Sequence, residues 1–372
     1  MHILIVPDSF KESLSALEVA TALQQGFSQV LPDASFDLMP VGDGGEGTVA
    51  SLAYGLDLKE ETTTVTGALG QPVEATYARA SDLAVFEMAT VCGLAQVPRN
   101  RRNPLYLTTR GVGELMLFLA NTGVRRLMIG VGGSATNDGG IGMAAGLGYR
   151  FYDDVGTLLE PIGDNLGRTT CFDNAQVPQS LFEMEITVIT DVTNPLCGPT
   201  GATHVFAEQK GLPKSQFDRV DQDMKQFYEL TNPAIFDLAG AGAGGGMAAG
   251  LVTFAAGKIV SGIDTVLDLL NFDQRVQTAD LVLVGEGRMD AQSLSGKAPV
   301  GIARRVPRGI PVIAICGIFK DDLPAFPTAN IQAAFPIISN VDSLENTLAQ
   351  ASNNLSRTAR NIGNLINIYR SK

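Results

Sequence analysis

The chain has 372 residues, of which 45% are hydrophobic and 18% charged, so it carries enough apolar material for a buried core and is not disordered. Its 27 lysines and arginines stand against 39 aspartates and glutamates, a formal net charge of −12. An acidic surface repels phosphodiester backbones, which argues against a nucleic-acid partner. Only two histidines are present, and this excludes a zinc site built on several histidines.

The remaining compositional features predict a soluble protein of the cytoplasm. The N-terminal sequence MHILIVPDSF has no basic region and no long apolar stretch, so we expect no signal peptide. Residues 238–257 carry no charge, but most of them are glycine or alanine, which drive insertion weakly; we therefore expect no membrane partner. The four cysteines are widely spaced and form no C-x-x-C pair, which is typical of reduced thiols.

Five short apolar runs near the two ends of the chain predict buried parallel strands. They are residues 2–6, 35–39, 281–284, 312–315 and 333–337. Between the first two runs, a helix is predicted to begin at the capping box formed by Ser15 and Glu18. Further helices are predicted at residues 46–54, 300–305 and 344–366. Strands that alternate with helices favour a parallel α/β sheet with right-handed crossovers.

The middle of the chain has a different pattern. Residues 62–77 and 84–88 are β-rich and predict antiparallel hairpins, followed by a helix at 115–120 and strands at 127–131 and 186–190. Residues 208–228 are polar and predict a loop and a surface helix. We therefore expect an α/β protein with a flavodoxin-like parallel-sheet domain (residues 1–60 and 266–372) and a second, dissimilar α/β domain inserted between its halves (residues 61–265).

A flavodoxin-like strand order, 2-1-3-4-5, would place the ligand site beyond the carboxyl ends of the first and third strands. The loops that follow the first three strands are residues 7–11, 42–48 and 285–290. All three contain ionisable side chains. The inserted domain is expected to form the opposite wall of this crevice.

Two of these loops have plausible binding chemistry. Residues 8–13 join a strand to a capped helix and include Lys11, a possible anion cradle, although a polar loop with a solvated lysine is an alternative. In the glycine-rich GDGGEGT of residues 42–48, Asp43 and Glu46 could hold Mg²⁺ or orient a hydroxyl group. The alternative is a tight turn with Asp43 as a helix cap.

Residues 130–140, GVGGSATNDGG, follow a predicted strand and loosely match a dinucleotide fingerprint through Gly130, Gly132 and Ala135. That match supports a nicotinamide-dependent hydroxy-acid dehydrogenase. The fingerprint should open directly into a helix, however, whereas Asn137 and Asp138 prolong the loop. A phosphate or substrate loop is favoured, with a structural turn as the alternative.

The glycine run of residues 240–250 offers backbone donors suited to a triphosphate, although close helix packing would explain it as well. Farther along, Glu286, Arg288 and Lys297 supply both kinds of charge that phosphoryl transfer uses. Ala291 and Ala298 occupy positions that a P-loop needs for its first glycine and its Ser/Thr, so this segment is not a P-loop.

Three isolated positions leave alternatives open. Asp191 follows a predicted strand and could be a metal ligand, a base or a turn residue. Arg110 precedes a predicted helix, where its guanidinium could bind a small carboxylate. Residues 209–211 are expected to form a surface turn, with a ligand contact as the lesser alternative.

Together, six segments make the chain resemble the glycerate kinase type I family, in the family's order and spacing. They are PDSFKESLSA (7–16), PVGDGGEGT (40–48), GVGGSATNDGG (130–140), DVTNPLCGPTGA (191–202), GAGAGGGMAAG (240–250) and GEGRMDAQSLSGKAPVG (285–301). The resemblance implies an ATP- and Mg²⁺-dependent kinase that phosphorylates D-glycerate in an interdomain cleft, and bacterial members typically give 2-phosphoglycerate. It also implies two dissimilar α/β domains, one flavodoxin-like and the other inserted.

Residue roles are predicted from the chemistry that this reaction needs. For catalysis we expect Asp43 or Asp191 as the base, with Lys11. Substrate contacts are expected from Asp8, Ser9, Arg110, Asn137 and Asp138. ATP contacts are expected from Gly242, Gly244, Gly245, Gly246, Arg288 and Lys297, and Mg²⁺ ligands are expected to be Glu286 and Asp191.

Several alternatives remain at this stage. The phosphate could go to the 3-hydroxyl instead, which would make the chain a glycerate 3-kinase. A dehydrogenase or a non-catalytic ligand-binding protein would use the same crevice. A homodimer is possible.

Overall fold

The computed structural model describes residues 1–42, 44–45, 47–290, 293, 298–320 and 322–370, apart from the side chain of Arg370. In chain order its strands are β1 (His2–Pro7), β2 (Ser35–Leu38), β3 (Lys59–Thr66), β4 (Pro72–Ala80), β5 (Leu83–Glu87), β6 (Arg126–Gly130), β7 (Arg150–Tyr152), β8 (Cys171–Asp173), β9 (Glu185–Ile189), β10 (Lys258–Val260), β11 (Leu281–Gly285), β12 (Arg288–Met289), β13 (Val312–Cys316), β14 (Ile318–Phe319) and β15 (Ala333–Pro336). Its helices are α1 (Ala16–Ser28), α2 (Thr48–Leu56), α3 (Ala89–Cys92), α4 (Arg110–Asn121), α5 (Ile141–Gly146), α6 (Ala202–Phe206), α7 (Phe217–Thr231), α8 (Ala243–Ala255), α9 (Gly262–Leu269), α10 (Phe272–Arg275), α11 (Ala298–Arg305), α12 (Leu344–Ala349) and α13 (Ala351–Arg370).

The chain divides into two compact units. Unit 1 comprises Met1–Asp43, Ala50–Asp57 and Gly262–Lys372, and unit 2 comprises Gly44–Val49 and Leu58–Ser261. Each unit contains its own sheet and its own hydrophobic core.

Unit 1 is built on a five-stranded parallel sheet in the order β15-β13-β11-β1-β2. This is the flavodoxin-like order that the sequence predicts, so the fold class is confirmed. The central strands are continuous apolar runs because both faces of the sheet are covered, and every residue of β11 is buried. On one face, α1 packs against α13 around a core that includes Leu23, Phe27 and Leu355.

Helix α1 begins at the predicted capping box. The Ser15 hydroxyl accepts a hydrogen bond from the Glu18 backbone N–H at 3.3 Å, and the Glu18 carboxylate accepts one from the Ser15 backbone N–H at 2.8 Å. These two bonds satisfy donors that the first turn would otherwise leave unpaired.

Unit 2 is built on a six-stranded sheet in the order β10-β9-β6-β5-β4-β3. Strands β5, β6, β9 and β10 run parallel, whereas β3 and β4 form the predicted antiparallel hairpin and join through β5. A large core that includes Phe151, Phe227 and Phe254 packs beside this sheet.

The structure departs from the predicted elements in three ways. The helix predicted at residues 344–366 is two helices, because the backbone leaves helical geometry at Gln350, between α12 and α13. The short helices α3, α5, α6, α9 and α10 were not predicted. The short strands β7, β8, β10, β12 and β14 were not predicted. Each has only two or three residues, too few for a periodic signal. No described helix is long and apolar enough to cross a membrane.

Candidate functional site

Unit 1 has a pocket of about 550 Å³ where the loops after β1, β11, β13 and β15 converge, the position expected of a ligand site in this fold. We call it the unit-1 pocket. Its lining residues are Asp8, Ser9, Phe10, Lys11, Glu12, Ser13, Glu286, Gly287, Arg288, Gly317, Ile318, Ile337, Ile338, Leu344, Thr347, Leu348 and Ala351. The pocket therefore brings together five residues predicted for the site: Asp8, Ser9, Lys11, Glu286 and Arg288.

Charge in the unit-1 pocket is mixed. Asp8 and Glu286 are each only 8% exposed, at the ends of two neighbouring strands whose register pairs Pro7 with Gly285. The Asp8 backbone N–H donates to the Gly285 carbonyl at 2.9 Å, which ties the two loops together. Lys11 is exposed at the rim. One side of the pocket is apolar, with isoleucine and leucine side chains from the loops after β13 and β15 and from α12.

Arg288 is the first residue of the short strand β12, and its side chain is largely exposed. Its guanidinium is 58% exposed and lies 3.4 Å from the Asp290 carboxylate, which is itself almost buried. Asp290 also accepts a hydrogen bond from the Ser293 backbone N–H at 3.2 Å. Asp290 thereby helps to orient Arg288 at the pocket. Lys297, predicted as a second phosphate-binding cation in this segment, lies outside the described residues.

Unit 2 has a smaller pocket of about 280 Å³, which we call the unit-2 pocket. It lies beyond the carboxyl ends of the adjacent parallel strands β6 and β9. Its lining residues are Leu94, Val131, Gly132, Gly133, Ser134, Thr190, Val192, Phe206, Gln209, Lys210, Ala243, Gly244 and Gly245. Three segments predicted separately, the 130–140 loop, the end of β9 and the glycine run, therefore meet at one pocket.

The cation of the unit-2 pocket is Lys210, in the segment that the sequence predicts as a surface turn. That prediction is wrong for Lys210, which is only 3% exposed, whereas Gln209 and Gly211 are exposed. Its ammonium donates to the Ser134 hydroxyl at 2.8 Å and to the Thr136 carbonyl at 2.7 Å. Burial lowers the pKa of Lys210 to about 8, with Cys92 and Asp138 opposing the change.

The four glycines predicted to bind ATP differ in their surroundings. Gly244 and Gly245 line the unit-2 pocket, and Gly245 has a φ of +73°. A Cβ atom at Gly245 would collide with the Thr136 carbonyl and lie 3.1 Å from the Lys210 ammonium. Gly242 and Gly246 do not line this pocket, and a Cβ at Gly246 would lie 2.8 Å from the Gly139 Cα. Close packing therefore explains Gly242 and Gly246, and it contributes at Gly245 as well.

Asp138 and Asn137, predicted as substrate contacts, are both fully buried. The Asp138 carboxylate accepts hydrogen bonds from the Thr109 backbone N–H and hydroxyl and from the backbone N–H groups of Gly140 and Gly142. Burial raises its pKa in spite of these bonds. The Asn137 amide donates to the Thr203 hydroxyl at 3.0 Å. These bonds hold the loop beside the unit-2 pocket, while the Asn137 Oδ1 is buried with no hydrogen-bond partner among the described residues. The substrate contacts predicted for Asn137 and Asp138 stay predictions.

Arg110 is not brought to this pocket. It is the first residue of α4 and lines a separate depression of about 370 Å³ beside residues 145–151. The Asp138 carboxylate fixes the residue before it, Thr109. Arg110 therefore follows a residue that Asp138 binds, but the depression that Arg110 lines includes neither Asn137 nor Asp138.

Only one of the two candidate bases, Asp191, lies within the described residues. Asp191 follows β9 as predicted, and its carboxylate accepts a hydrogen bond from the Ser261 hydroxyl at 3.3 Å. Asp43 lies outside the described residues. Within the described part of the chain, no group of three or more His, Cys, Asp or Glu side chains is arranged to hold a metal ion.

The 130–140 loop does not have the structure of a dinucleotide fingerprint. After Gly130 the chain stays irregular for ten residues, and α5 begins only at Ile141. A fingerprint loop opens into its helix directly, so that the pyrophosphate meets the helix N-terminus. The dehydrogenase alternative therefore loses the observation that supported it.

Comparison with known proteins shows the family to which this chain belongs. The sequence pattern described as the glycerate kinase family matches residues 3–367. The chain belongs to the glycerate kinase family. A glycerate kinase of Neisseria meningitidis serogroup B is 50% identical over 99% of both chains, and a glycerate 2-kinase of Escherichia coli K12 is 39% identical over 97% of both. A crystal structure from Salmonella typhimurium LT2 assigned to glycerate kinase 2 matches with a TM-score of 0.88, 40% identity and full coverage of both chains.

Membership of the glycerate kinase family makes the chain an enzyme, a transferase of the kinase class. Segments that resemble this family also line both pockets. The glycerate kinase motifs around residues 7–16 and 285–301 supply the unit-1 pocket, and those around residues 130–140, 191–202 and 240–250 supply the unit-2 pocket. Lys210 lies outside all six motifs. The sequence offers a ligand contact at residues 209–211 only as the lesser alternative to a surface turn, and the polar composition around Lys210 does not indicate its burial.

Proposed function

We propose that the chain transfers the γ-phosphoryl group of ATP to the 2-hydroxyl of D-glycerate and releases ADP and 2-phosphoglycerate. The observation that carries this proposal is the 39% identity, over 97% of both chains, to the Escherichia coli protein named glycerate 2-kinase. In the reaction, the glycerate oxygen forms a bond to phosphorus, the bond to the ADP oxygen breaks, and the hydroxyl proton leaves to a base. We assign the reaction to the cytoplasm, in keeping with four free cysteines.

The ATP phosphates are proposed to bind backbone and cationic groups, namely the glycine turn at Gly244 and Gly245 together with Arg288 and Lys297. Two features support the turn. It lines a pocket at the carboxyl ends of parallel strands, and both of its glycines have positive φ values, +67° and +73°, which residues with a side chain rarely adopt. Gly242 and Gly246 would then act by shaping this turn. An exposed guanidinium such as that of Arg288 matches phosphate oxygens in geometry and charge.

Glycerate is proposed to contact Asp8, Ser9 and Lys11. The lysine would pair with the substrate carboxylate, and Asp8 and Ser9 would accept hydrogen bonds from its hydroxyl groups. Support comes from the unit-1 pocket, which these three residues line together. Contacts of glycerate with Arg110, Asn137 and Asp138 stay predictions. That transfer takes place in an interdomain cleft stays a prediction.

Glu286 and Asp191 are carboxylates, the hard oxygen donors that Mg²⁺ prefers, and Glu286 is nearly buried. The donor set fits Mg²⁺, which is commonly held by one or two carboxylates plus water and phosphate oxygens and does not need a cluster of three side chains. When bound, the ion would neutralise part of the phosphate charge. The residues of the chain would orient the phosphates and exclude water.

Asp191 or Asp43 is proposed to accept the proton of the attacking hydroxyl. If Asp191 is the base, Asp191→Asn is expected to lower kcat by about 10²- to 10⁴-fold with a small change in KM, since general-base catalysis contributes about that much. Ser261→Ala is the matched control. It removes the hydroxyl that donates to Asp191 but keeps the carboxylate. Near-full activity of Asp191→Asn would leave Asp43 as the candidate.

The test of the reaction is ADP release from MgATP with D-glycerate, run with and without enolase and detection of phosphoenolpyruvate, in the absence of a mutase. Glycerate-dependent ADP release with direct enolase coupling is the expected result. ADP release without that coupling would move the phosphate to the 3-hydroxyl and make the enzyme a glycerate 3-kinase. Folded protein that releases no glycerate-dependent ADP would contradict the proposal. Light scattering on the same sample would test the homodimer.

A further inference from the structure

Lys210 is a buried cation at the wall of a pocket, in an environment that a lysine rarely occupies without a partner of opposite charge. Its side chain is 3% exposed, and both acceptors of its ammonium, the Ser134 hydroxyl and the Thr136 carbonyl, are neutral. Removing an ammonium from water costs several kcal/mol, and neutral acceptors recover only part of that cost. The buried Asp138 carboxylate attracts the ammonium, but burial outweighs this attraction in its effect on the pKa of Lys210. Stability alone therefore does not explain why this side chain is a lysine.

The Lys210 ammonium uses only two of its three N–H donors within the described part of the chain. Both Lys210 and its acceptor Ser134 line the unit-2 pocket, so the side chain that carries the ammonium borders this pocket. Gly245 packs beside the ammonium, since a Cβ at Gly245 would lie 3.1 Å from it.

We propose that Lys210 binds the anionic group of a substrate in the unit-2 pocket, through the remaining donor of its ammonium. This inference rests on the proposed function for the identity of the substrates, and it adds a binding residue that lies outside the family motifs. Two groups have the required chemistry, the phosphate chain of ATP and the carboxylate of D-glycerate. Both are compact anions, and the experiment separates them.

The protonation of Lys210 allows the proposal to be tested through the pH dependence of ligand binding. The pKa of Lys210 is lowered to about 8, mainly by burial, while the facing Cys92 and Asp138 oppose the change. The ammonium is therefore present at pH 7 and largely lost at pH 9. A ligand anion that needs the ammonium should bind about tenfold more weakly at pH 9 than at pH 7, since one protonation separates the two states. The charges of ADP and glycerate hardly change in this range.

The experiment measures KM for ATP and KM for D-glycerate between pH 7 and 9.5 in the wild type, in Lys210→Met and in Lys214→Met. Lys214 is the matched control, because it lies four residues away with a side chain 72% exposed and pairs with Glu208 on the surface. For Lys210→Met, one of the two KM values is expected to rise at least tenfold at pH 7 and to lose its pH dependence. The ATP value identifies the phosphate chain as the ligand group, and the glycerate value identifies the carboxylate.

A second measurement, on the wild type, tests the proposal independently of the Lys210→Met variant. If Lys210→Met does not fold, the affinity of the wild type for ADP and for D-glycerate is measured by calorimetry at pH 7 and pH 9, where one of them should fall about tenfold. If the wild type binds ADP and D-glycerate but shows no glycerate-dependent ADP release, the proposed function is contradicted. The pH dependence of binding then still tests the role of Lys210. Lys210→Met with both KM values and both pH profiles unchanged would overturn the proposal, as would wild-type affinities that do not vary with pH.

Discussion

Asp138 has the surroundings of a carboxylate that maintains backbone geometry. Four donors surround it: the N–H and hydroxyl of Thr109, at the start of α4, and the N–H groups of Gly140 and Gly142, around the start of α5. Its pKa is raised above the usual 3.8 by burial. The stability that it contributes is therefore complete at pH values below 3.8 and falls as the pH rises through its raised pKa.

Asp138→Asn is expected to destabilise the protein by about 1–3 kcal/mol, because the amide turns an acceptor into a donor and leaves a buried N–H or O–H unpaired. The KM for glycerate is expected to stay within about twofold of the wild type, since the side chain has a structural role. Urea unfolding at pH 7 and steady-state kinetics measure the two effects. Asp154→Asn, a change at an exposed position in the same unit, serves as the control and should be almost neutral. A large rise in KM without loss of stability would restore Asp138 as a substrate contact.

At the same scale, Lys210 shows where residue-level prediction from sequence ends. The motif residues Asp8, Lys11, Glu286 and Arg288 were predictable because each follows a strand whose apolar run is visible in the sequence. Lys210 sits in a polar segment, and its burial depends on Ser134, which lies 76 residues earlier in the chain. A contact of that kind is set by the packing of distant elements, which local composition does not record.

At the scale of elements, α1 and α13 meet at a closely packed crossing in unit 1. A Cβ atom at Gly26 would collide with the carbonyl oxygen of Ser356 and lie 2.7 Å from the Ala359 Cβ. The glycine therefore allows the two helices to approach, although glycine within a helix is unfavourable by itself. The cost of the glycine is offset by the packing of neighbouring side chains such as Phe27 against α13.

Gly26→Ala is expected to lower the free energy of unfolding by about 1–3 kcal/mol, because the added methyl group forces the helices apart. Intrinsic helix propensity alone predicts the opposite, a gain of about 1 kcal/mol, so the sign of the effect tests the packing. The matched control is Gln25→Ala at the adjacent exposed position, which should change stability by less than about 0.5 kcal/mol. Urea unfolding followed by circular dichroism measures both. A stabilised Gly26→Ala would contradict the close crossing.

Elements differed in how far the sequence could predict them. Strand β11 was predictable because its residues are apolar throughout, as a strand covered on both faces must be. The capping box of α1 gave its first turn directly. By contrast, β10 has three residues and depends on pairing with β9 for its existence, and the break between α12 and α13 falls on the single residue Gln350. Tertiary pairing decides such short elements.

At the scale of the whole molecule, the two units have separate hydrophobic cores. The core of unit 1 gathers residues of α1, α13 and its parallel sheet, and the core of unit 2 gathers residues of α4, α7, α8 and the six-stranded sheet. Cooperative unfolding follows from a shared core, so two units whose described core residues fall into different clusters are expected to depart from two-state unfolding. The substitutions at Gly26 and Asp138 probe one unit each.

Calorimetry of the wild type is therefore expected to resolve two unfolding transitions or one broadened transition. Gly26→Ala should lower only the transition of unit 1 and Asp138→Asn only that of unit 2, by about 2–4 °C for each kcal/mol lost in a unit of this size. The double variant should show both shifts unchanged, because distant substitutions in independent cores add. A single sharp transition that both substitutions lower equally would contradict this expectation. It would mean that the two cores unfold as one, and the free energies measured for each variant would then belong to the whole chain.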